Sequence, residues 1–175
     1  AGEYSAKLLE LTLDAAEKFA GTRKGDTYMR EAVDIAESSA DSLGYWVKLR
    51  MALETEEKDS AGAATIFSEV PVEGYYRAAQ VALGKGDFQG TIDIYKKLVT
   101  VYPEHPDNYK AYFLTGFNYS EYLHDYDKAR EYFEIVLERY PDSDLAASAS
   151  WMLENMGKPA DEIEFLEDMP APEGV

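Results

Sequence analysis

Cysteine is absent from this sequence of 175 residues. Its absence excludes disulfides, thiol catalysis, thiolate metal sites and lipid attachment through cysteine. The compartment stays open on this ground, because the reducing cytosol and the oxidising periplasm both tolerate cysteine-free chains. No signal peptide is visible, but the start at Ala1 without methionine fits a chain from which a secretory leader has been removed.

Histidine is scarce, since only His105 and His124 occur, both in predicted turns. His124 lies close to Asp125 and Asp127, a weak metal-ligand pattern, but an aspartate at such a turn is also what a helix N-cap needs. The sequence has no phosphate-binding glycine loop, EF-hand spacing or metalloprotease helix motif. Nothing in it desolvates a chosen pair of carboxylates for acid–base catalysis. We therefore expect a non-catalytic protein without a metal site or a cofactor.

Positive charge is also limited, because 17 Lys and Arg face 34 Asp and Glu, which gives a net charge of −17. Such a charge disfavours binding to nucleic acid and to anionic lipid. No apolar run approaches the roughly 18 residues that a membrane-spanning helix needs, so direct membrane insertion is not expected. Residues 142–175 carry nine acidic side chains and one basic side chain. This acidic end is either a solvated surface or a surface for a basic partner.

Apolar residues recur at helical spacing along nearly the whole chain, and the alternation typical of strands is absent. Turn signals divide the pattern into about ten helices. Asp142 or Ser143 is expected to cap the ninth of them. The loops are short, so consecutive helices are predicted to be antiparallel neighbours in one continuous array.

Two segments of the chain repeat one another. GDFQGTIDIYKKLVTVYP ends at Pro103, and HDYDKAREYFEIVLERYP ends at Pro141, at one offset of 38 residues. The turn before the second copy holds one extra residue near His124. A fixed period of this length predicts stacked copies of one unit, which form a curved solenoid with a long open face. That shape is typical of proteins that bind other molecules.

These two copies resemble tetratricopeptide repeats. In that family, small residues let the two helices of a repeat approach, aromatic rings fill the gap between repeats, and a proline ends the second helix. The first copy supplies Tyr75, Ala78, Ala79, Ala82, Thr91, Tyr95, Leu98 and Pro103 at these positions, and the second supplies Tyr112, Gly116, Tyr119, Ala129, Phe133, Val136 and Pro141. The resemblance implies an all-α, right-handed superhelical solenoid of about ten antiparallel helices.

The resemblance also suggests how the chain is organised. Residues 1–168 read as a single helical array followed by a tail, 169–175. Within the array, the resemblance gives clear repeats at 72–105 and 106–143, degenerate repeats at 1–40 and 41–71, and capping helices at 143–168. The segment YPDSDLAASASWML is similar to a variant common in bacterial envelope proteins, among them the barrel-assembly lipoprotein and a periplasmic cell-division coordinator. This likeness implies a bacterial scaffold and favours the periplasm over the cytoplasm.

The resemblance further implies which side chains meet a partner. In the family, the first helix of each repeat lines a concave groove. The positions that correspond here include Tyr76, Gln80, Lys110, Phe113, Phe117, Trp151 and Asn155, and Arg77 lies beside them. Four of them form what we call the aromatic stripe, namely Tyr76, Phe113, Phe117 and Trp151, and such rings are typical binding anchors. The alternative is that these rings pack against a neighbouring repeat or against a terminal helix folded into the groove.

Some relatives bind a terminal carboxylate through a lysine and an asparagine, but the matching positions here hold Tyr76 with Gln80 and Phe113 with Phe117. We therefore expect the groove to bind an extended or helical protein segment through apolar contacts, with Arg77 and Lys110 as polar guides. This describes an adaptor or assembly scaffold. The other reading is a structural subunit built permanently into a larger envelope or membrane complex, with contacts on its outer surfaces.

Overall fold

The structure, a computed structural model, describes residues 2–19, 22–37 and 42–159. These ranges contain nine α-helices and no β-strand, which confirms the predicted all-α class. The helices are α1 (Gly2–Lys18), α2 (Arg23–Glu37), α3 (Ser42–Thr55), α4 (Ser60–Glu69), α5 (Val72–Gly84), α6 (Phe88–Val101), α7 (Asn108–Glu121), α8 (Tyr126–Arg139) and α9 (Ala146–Asn155). The tenth helix, predicted from about Ala160, and the tail 169–175 lie outside the described residues. Within the described residues, no helix combines the length and the apolar character needed to cross a membrane.

Helices that pack closely are at most three places apart in chain order. This is the quasi-one-dimensional order of a solenoid, in which each unit contacts its neighbours. Most helices pack mainly against the next helix in the chain. The exception is the pair α3–α4, because α3 packs directly against α5. The short α4 is joined to α5 by the Tyr75 hydroxyl, which donates to the Phe67 carbonyl at 2.7 Å.

The second helix of each of three successive pairs begins in the same way. The carboxylates of Asp59, Asp87 and Asp125 precede α4, α6 and α8, and each accepts a hydrogen bond from a backbone N–H of the first turn. Asp125 also pairs with Lys128 at 2.7 Å, and these hydrogen bonds lower the pKa of the Asp125 carboxyl. The aspartate beside His124 thus serves as a helix cap.

The expected cap of α9 is wrong. This helix begins at Ala146, and Leu145, which precedes it, makes no side-chain cap hydrogen bond. The backbone after Pro141 first forms two turns, in which Ser143 N–H donates to the Tyr140 carbonyl and Ala146 N–H donates to the Ser143 carbonyl. These turns use the residues that the sequence assigned to the start of the helix.

The core shows the packing that the repeat pattern predicts. The small and apolar positions of both repeats are fully buried, among them Ala78, Ala79, Ala82, Thr91, Leu98, Ala129, Phe133 and Val136. The same aromatic pair occurs in each repeat, since Tyr75 lies 6.1 Å from Tyr102 and Tyr112 lies 6.1 Å from Tyr140 between ring centroids. One cluster of buried residues extends from α1 to α7, and a second joins α6 to α9.

α7 and α8 approach closely at Gly116, because a Cβ built there would lie 3.0 Å from the ring of Phe133. Gly84 offers a control, since a Cβ built there meets no atom within 4 Å. We expect Gly116→Ala to lower the free energy of unfolding by about 1–2 kcal/mol, because overpacking outweighs the gain in helix propensity. Gly84→Ala is expected to raise it by up to about 1 kcal/mol. Urea denaturation of both variants checks this, and equal shifts would contradict the proposed close approach.

Candidate protein-binding surface

Tyr76, the first ring of the aromatic stripe, is held by contacts within the protein. Its hydroxyl donates to the Asp107 carbonyl at 2.9 Å, and its ring lies 5.8 Å from that of Tyr95. Burial raises the pKa of this phenol well above its ordinary range, with a further contribution from Tyr95. The contacts join α5 to the start of α7. The structure thus places Tyr76 between repeats, as the alternative interpretation of the stripe expects.

Phe113 and Phe117 follow on α7, and both are half-buried. Their ring centroids lie 6.5 Å apart, and Phe113 lies 5.4 Å from the buried Phe133. Phe117 continues the line toward Tyr122 at 6.3 Å. The inner edge of this line rests on the second buried cluster. Both rings remain partly exposed.

Phe117, Trp151 and Asn155 meet at one open cavity of about 540 Å³, which we call the end pocket. Its apolar lining includes Phe117, Tyr126, Trp151, Met152 and Met156, and its polar lining includes Glu121, His124, Asn155 and Lys158. The pocket lies between the end of α7, the start of α8 and the end of α9. Its volume falls within the range of cavities that take a ligand or several side chains of a partner.

The predicted polar residues lie apart from the end pocket. Arg77 and Gln80 are exposed on α5, where Arg77 pairs with Glu73 at 2.5 Å. Lys110 lies at the start of α7 and pairs with Asp107 at 3.0 Å. This hydrogen bond raises the pKa of the Lys110 ammonium. Three of the eight predicted residues are therefore brought together at the end pocket, and the others are spread along α5 and the first half of α7.

Sequence reasoning missed a group of exposed apolar side chains in the turn between α7 and α8. Tyr122, Leu123 and Tyr126, which we call the turn patch, are 41%, 38% and 39% exposed. Extending the alignment of the two repeats into this turn reveals Tyr122 and Leu123, whereas Tyr126 aligns with another aromatic residue. At the offset of 38, the preceding turn has Gly84, Lys85 and Phe88 at these places.

The family model for the tetratricopeptide repeat matches residues 73–105 and 110–143. Among solved structures, a tetratricopeptide repeat protein from Parabacteroides merdae ATCC 43184 is similar, with 19% sequence identity and a TM-score of 0.41. The match covers 87% of this chain, and the chain spans 60% of the length of that protein. No curated protein matches this sequence significantly. The family-model match shows that the chain contains two tetratricopeptide repeats, which together form the units from α5 to α8.

Proposed function

We propose that this protein is a non-catalytic adaptor or assembly scaffold that binds a segment of another protein along α7 and in the end pocket. Tetratricopeptide repeats are in general modules of protein–protein interaction, which supports the broad class. The observation that carries the proposal is the meeting of Phe117 and Trp151 at an open cavity. Aromatic side chains provide a large contact area at low entropic cost, so they commonly dominate binding energy.

The half-buried state of these rings supports a role as preformed anchors. Phe113 lies beside Phe117, and both Phe117 and Trp151 pack against the second buried cluster. Rings that are already held in place lose little freedom on binding. Gln80 and Lys110 would extend the contact along α5 and α7, as the resemblance implies, and Arg77 would act as a polar guide beside them. Tyr76 would form part of the wall between repeats.

The test is a pull-down that compares the wild type with a Phe117→Ala, Trp151→Ala double variant. We expect the variant to lose its co-purifying partner, and the affinity for that partner, once it is purified, to fall at least about 100-fold, because two anchors are removed. The matched control is Leu8→Ala with Leu11→Ala, which removes two exposed apolar side chains from α1. Circular dichroism of both variants should show unchanged helicity. Identical partner sets for the wild type and the Phe117, Trp151 variant would refute the proposal.

A further inference from the structure

The two interhelical turns of the repeats differ in length and in composition. Three residues separate α5 from α6, and four separate α7 from α8, which confirms the extra residue predicted near His124. Both turns end in the aspartate that caps the next helix. The preceding turn is small and polar, whereas this one presents Tyr122, Leu123 and His124.

His124 adopts a left-handed backbone conformation with φ of 52°, where the preceding turn has Gly86 at 76°. Residues other than glycine are uncommon in this region, and asparagine, aspartate and histidine occur there more often than the rest. The imidazole lines the end pocket, and its Nδ1 lies 3.1 Å from the Ser120 carbonyl oxygen.

The turn patch is an unusual concentration of exposed apolar side chains. Among the side chains that the structure describes, it contributes three of the five large hydrophobic residues that are exposed, and the other two, Leu8 and Leu11, lie on α1. The patch is continuous with the end pocket, because Tyr126 belongs to both and Tyr122 contacts Phe117. An exposed apolar surface that continues into a cavity is a candidate interaction site.

The turn patch is also held in a defined shape. The Tyr122 ring stacks on Phe88 with centroids 4.3 Å apart and planes inclined by 7°. Leu123 N–H donates to the Asn118 carbonyl at 3.2 Å, and Asp125 N–H donates to the Tyr119 carbonyl at 2.9 Å. A preorganised surface of this kind binds with a smaller entropic penalty than a mobile one.

Charge indicates what kind of partner fits. Residues 121–128, which hold the turn patch and its immediate neighbours, contain three acidic side chains and one basic side chain, and the chain as a whole has a net charge of −17. The basic group, Lys128, already pairs with Asp125. Charges across an interface are usually complementary, and long-range attraction speeds association. An apolar surface within an acidic region therefore favours a partner that is apolar at its centre and basic around it.

We propose that the turn patch and the end pocket form one binding surface for a short amphipathic segment of a partner protein, with aromatic or aliphatic anchor side chains and a net positive charge. This inference rests on the proposed function and names the class of segment that the adaptor recognises. The anchors enter the end pocket beside Trp151. The basic side chains lie along the acidic residues around it, and the turn patch covers the side of the segment that faces α8.

The test is a display library of random short peptides selected against the immobilised wild type. Enriched peptides are expected to carry a net positive charge and apolar anchors, and to bind more weakly as salt is raised. We expect a Tyr122→Ser, Leu123→Ser, Tyr126→Ser variant to bind them at least about tenfold more weakly. The Leu8→Ser, Leu11→Ser variant is the matched control and should bind them as the wild type does. Equal melting temperatures of the wild type and the variants would show that the variants keep the fold.

A second pair of variants isolates charge at one position of the turn patch. Leu123→Lys and Leu123→Glu both remove the apolar contact, but we expect the lysine variant to bind the enriched peptides more weakly than the glutamate variant. Neutral or acidic enriched peptides, equal binding by these two variants, or a library without any enriched peptide would overturn the inference.

A further comparison separates this inference from the proposed function. If the enriched peptides no longer bind the Phe117→Ala, Trp151→Ala variant but still bind the triple serine variant, the inference alone is overturned. Peptides kept by both variants would overturn both proposals.

Discussion

Replacing Phe133 by alanine is expected to lower the free energy of unfolding by about 3–5 kcal/mol. Phe133 is fully buried on α8, and its ring fills the space that Gly116 leaves open on α7. The ring also lies 5.4 Å from that of Phe113. Because glycine has no side chain that could move into the gap, the variant would retain a cavity. Urea denaturation followed by circular dichroism measures the change, provided that the free energy of unfolding of both proteins depends on urea concentration with the same slope.

The control for this variant is Leu123→Ala, which also removes an apolar side chain but at an exposed position. It should change the free energy of unfolding by less than about 0.5 kcal/mol. A similar loss for both variants, or a loss below about 1 kcal/mol for Phe133→Ala, would contradict the assignment of Phe133 to a tightly packed contact between the helices of the repeat.

The internal duplication made this part of the fold predictable. Two copies of one unit show which positions tolerate only small residues, as Ala79 and Gly116 do, and which demand an aromatic ring, as Tyr95 and Phe133 do. The burial of these positions confirms the physical reason given for the pattern. Outside the two copies, the sequence provided helical spacing alone, which defines helices but does not identify their contacts.

The binding surface was harder to predict, because spacing on a helix does not say what lies opposite. Tyr76 occupies a groove position by its spacing, but its hydroxyl reaches the Asp107 carbonyl, 31 residues further along the chain. Such a contact depends on how two repeats stack. The end pocket likewise depends on three helices meeting, and only Phe117, Trp151 and Asn155 of its lining had been selected.

The start of α9 and the turn patch were hard to predict for a different reason. Asp142 and Ser143 have the side chains of helix caps, but both belong to the turns that follow Pro141, and α9 begins after these turns. In the turn patch, large apolar residues stand where a turn ordinarily holds small or polar ones, so the apolar pattern does not distinguish Tyr122 and Leu123 from helical positions. Local propensity describes a residue in isolation, and in both places the neighbouring backbone decided the outcome.

Raising the pH above about 10 is expected to destabilise this protein steeply, because several buried tyrosines resist ionisation in the folded state. Burial raises the pKa of the Tyr95 phenol from its ordinary value of 10.0 to about 12. Burial, with a further contribution from Tyr102, raises the pKa of Tyr75 higher still. Both side chains are buried, at 4% and 0% exposure, so solvent screens them little.

The sign follows from proton binding. Above pH 10 the unfolded chain loses the phenolic protons while the folded chain keeps them, so the unfolded state binds fewer protons and stability falls as pH rises. The stabilisation is fully present below pH 10, and for Tyr95 it is lost between 10 and about 12. Each of the two groups contributes a slope of up to about 1.4 kcal/mol per pH unit. Over two pH units the two groups together remove up to about 5.6 kcal/mol, which equals the whole stability of a domain at the lower end of the usual range of roughly 5–15 kcal/mol.

Circular dichroism and tyrosinate absorbance measured together across this range test the prediction. Helicity should fall as the tyrosinate signal of the buried groups rises, because these phenols ionise only when the chain unfolds. Tyr95→Phe keeps the ring and removes one ionisable group, so its stability should fall less steeply by about 1.4 kcal/mol per pH unit. A tyrosinate signal that is complete while helicity is intact would show that the phenols ionise in the folded state, and an unchanged slope in Tyr95→Phe would show that Tyr95 is not the group responsible.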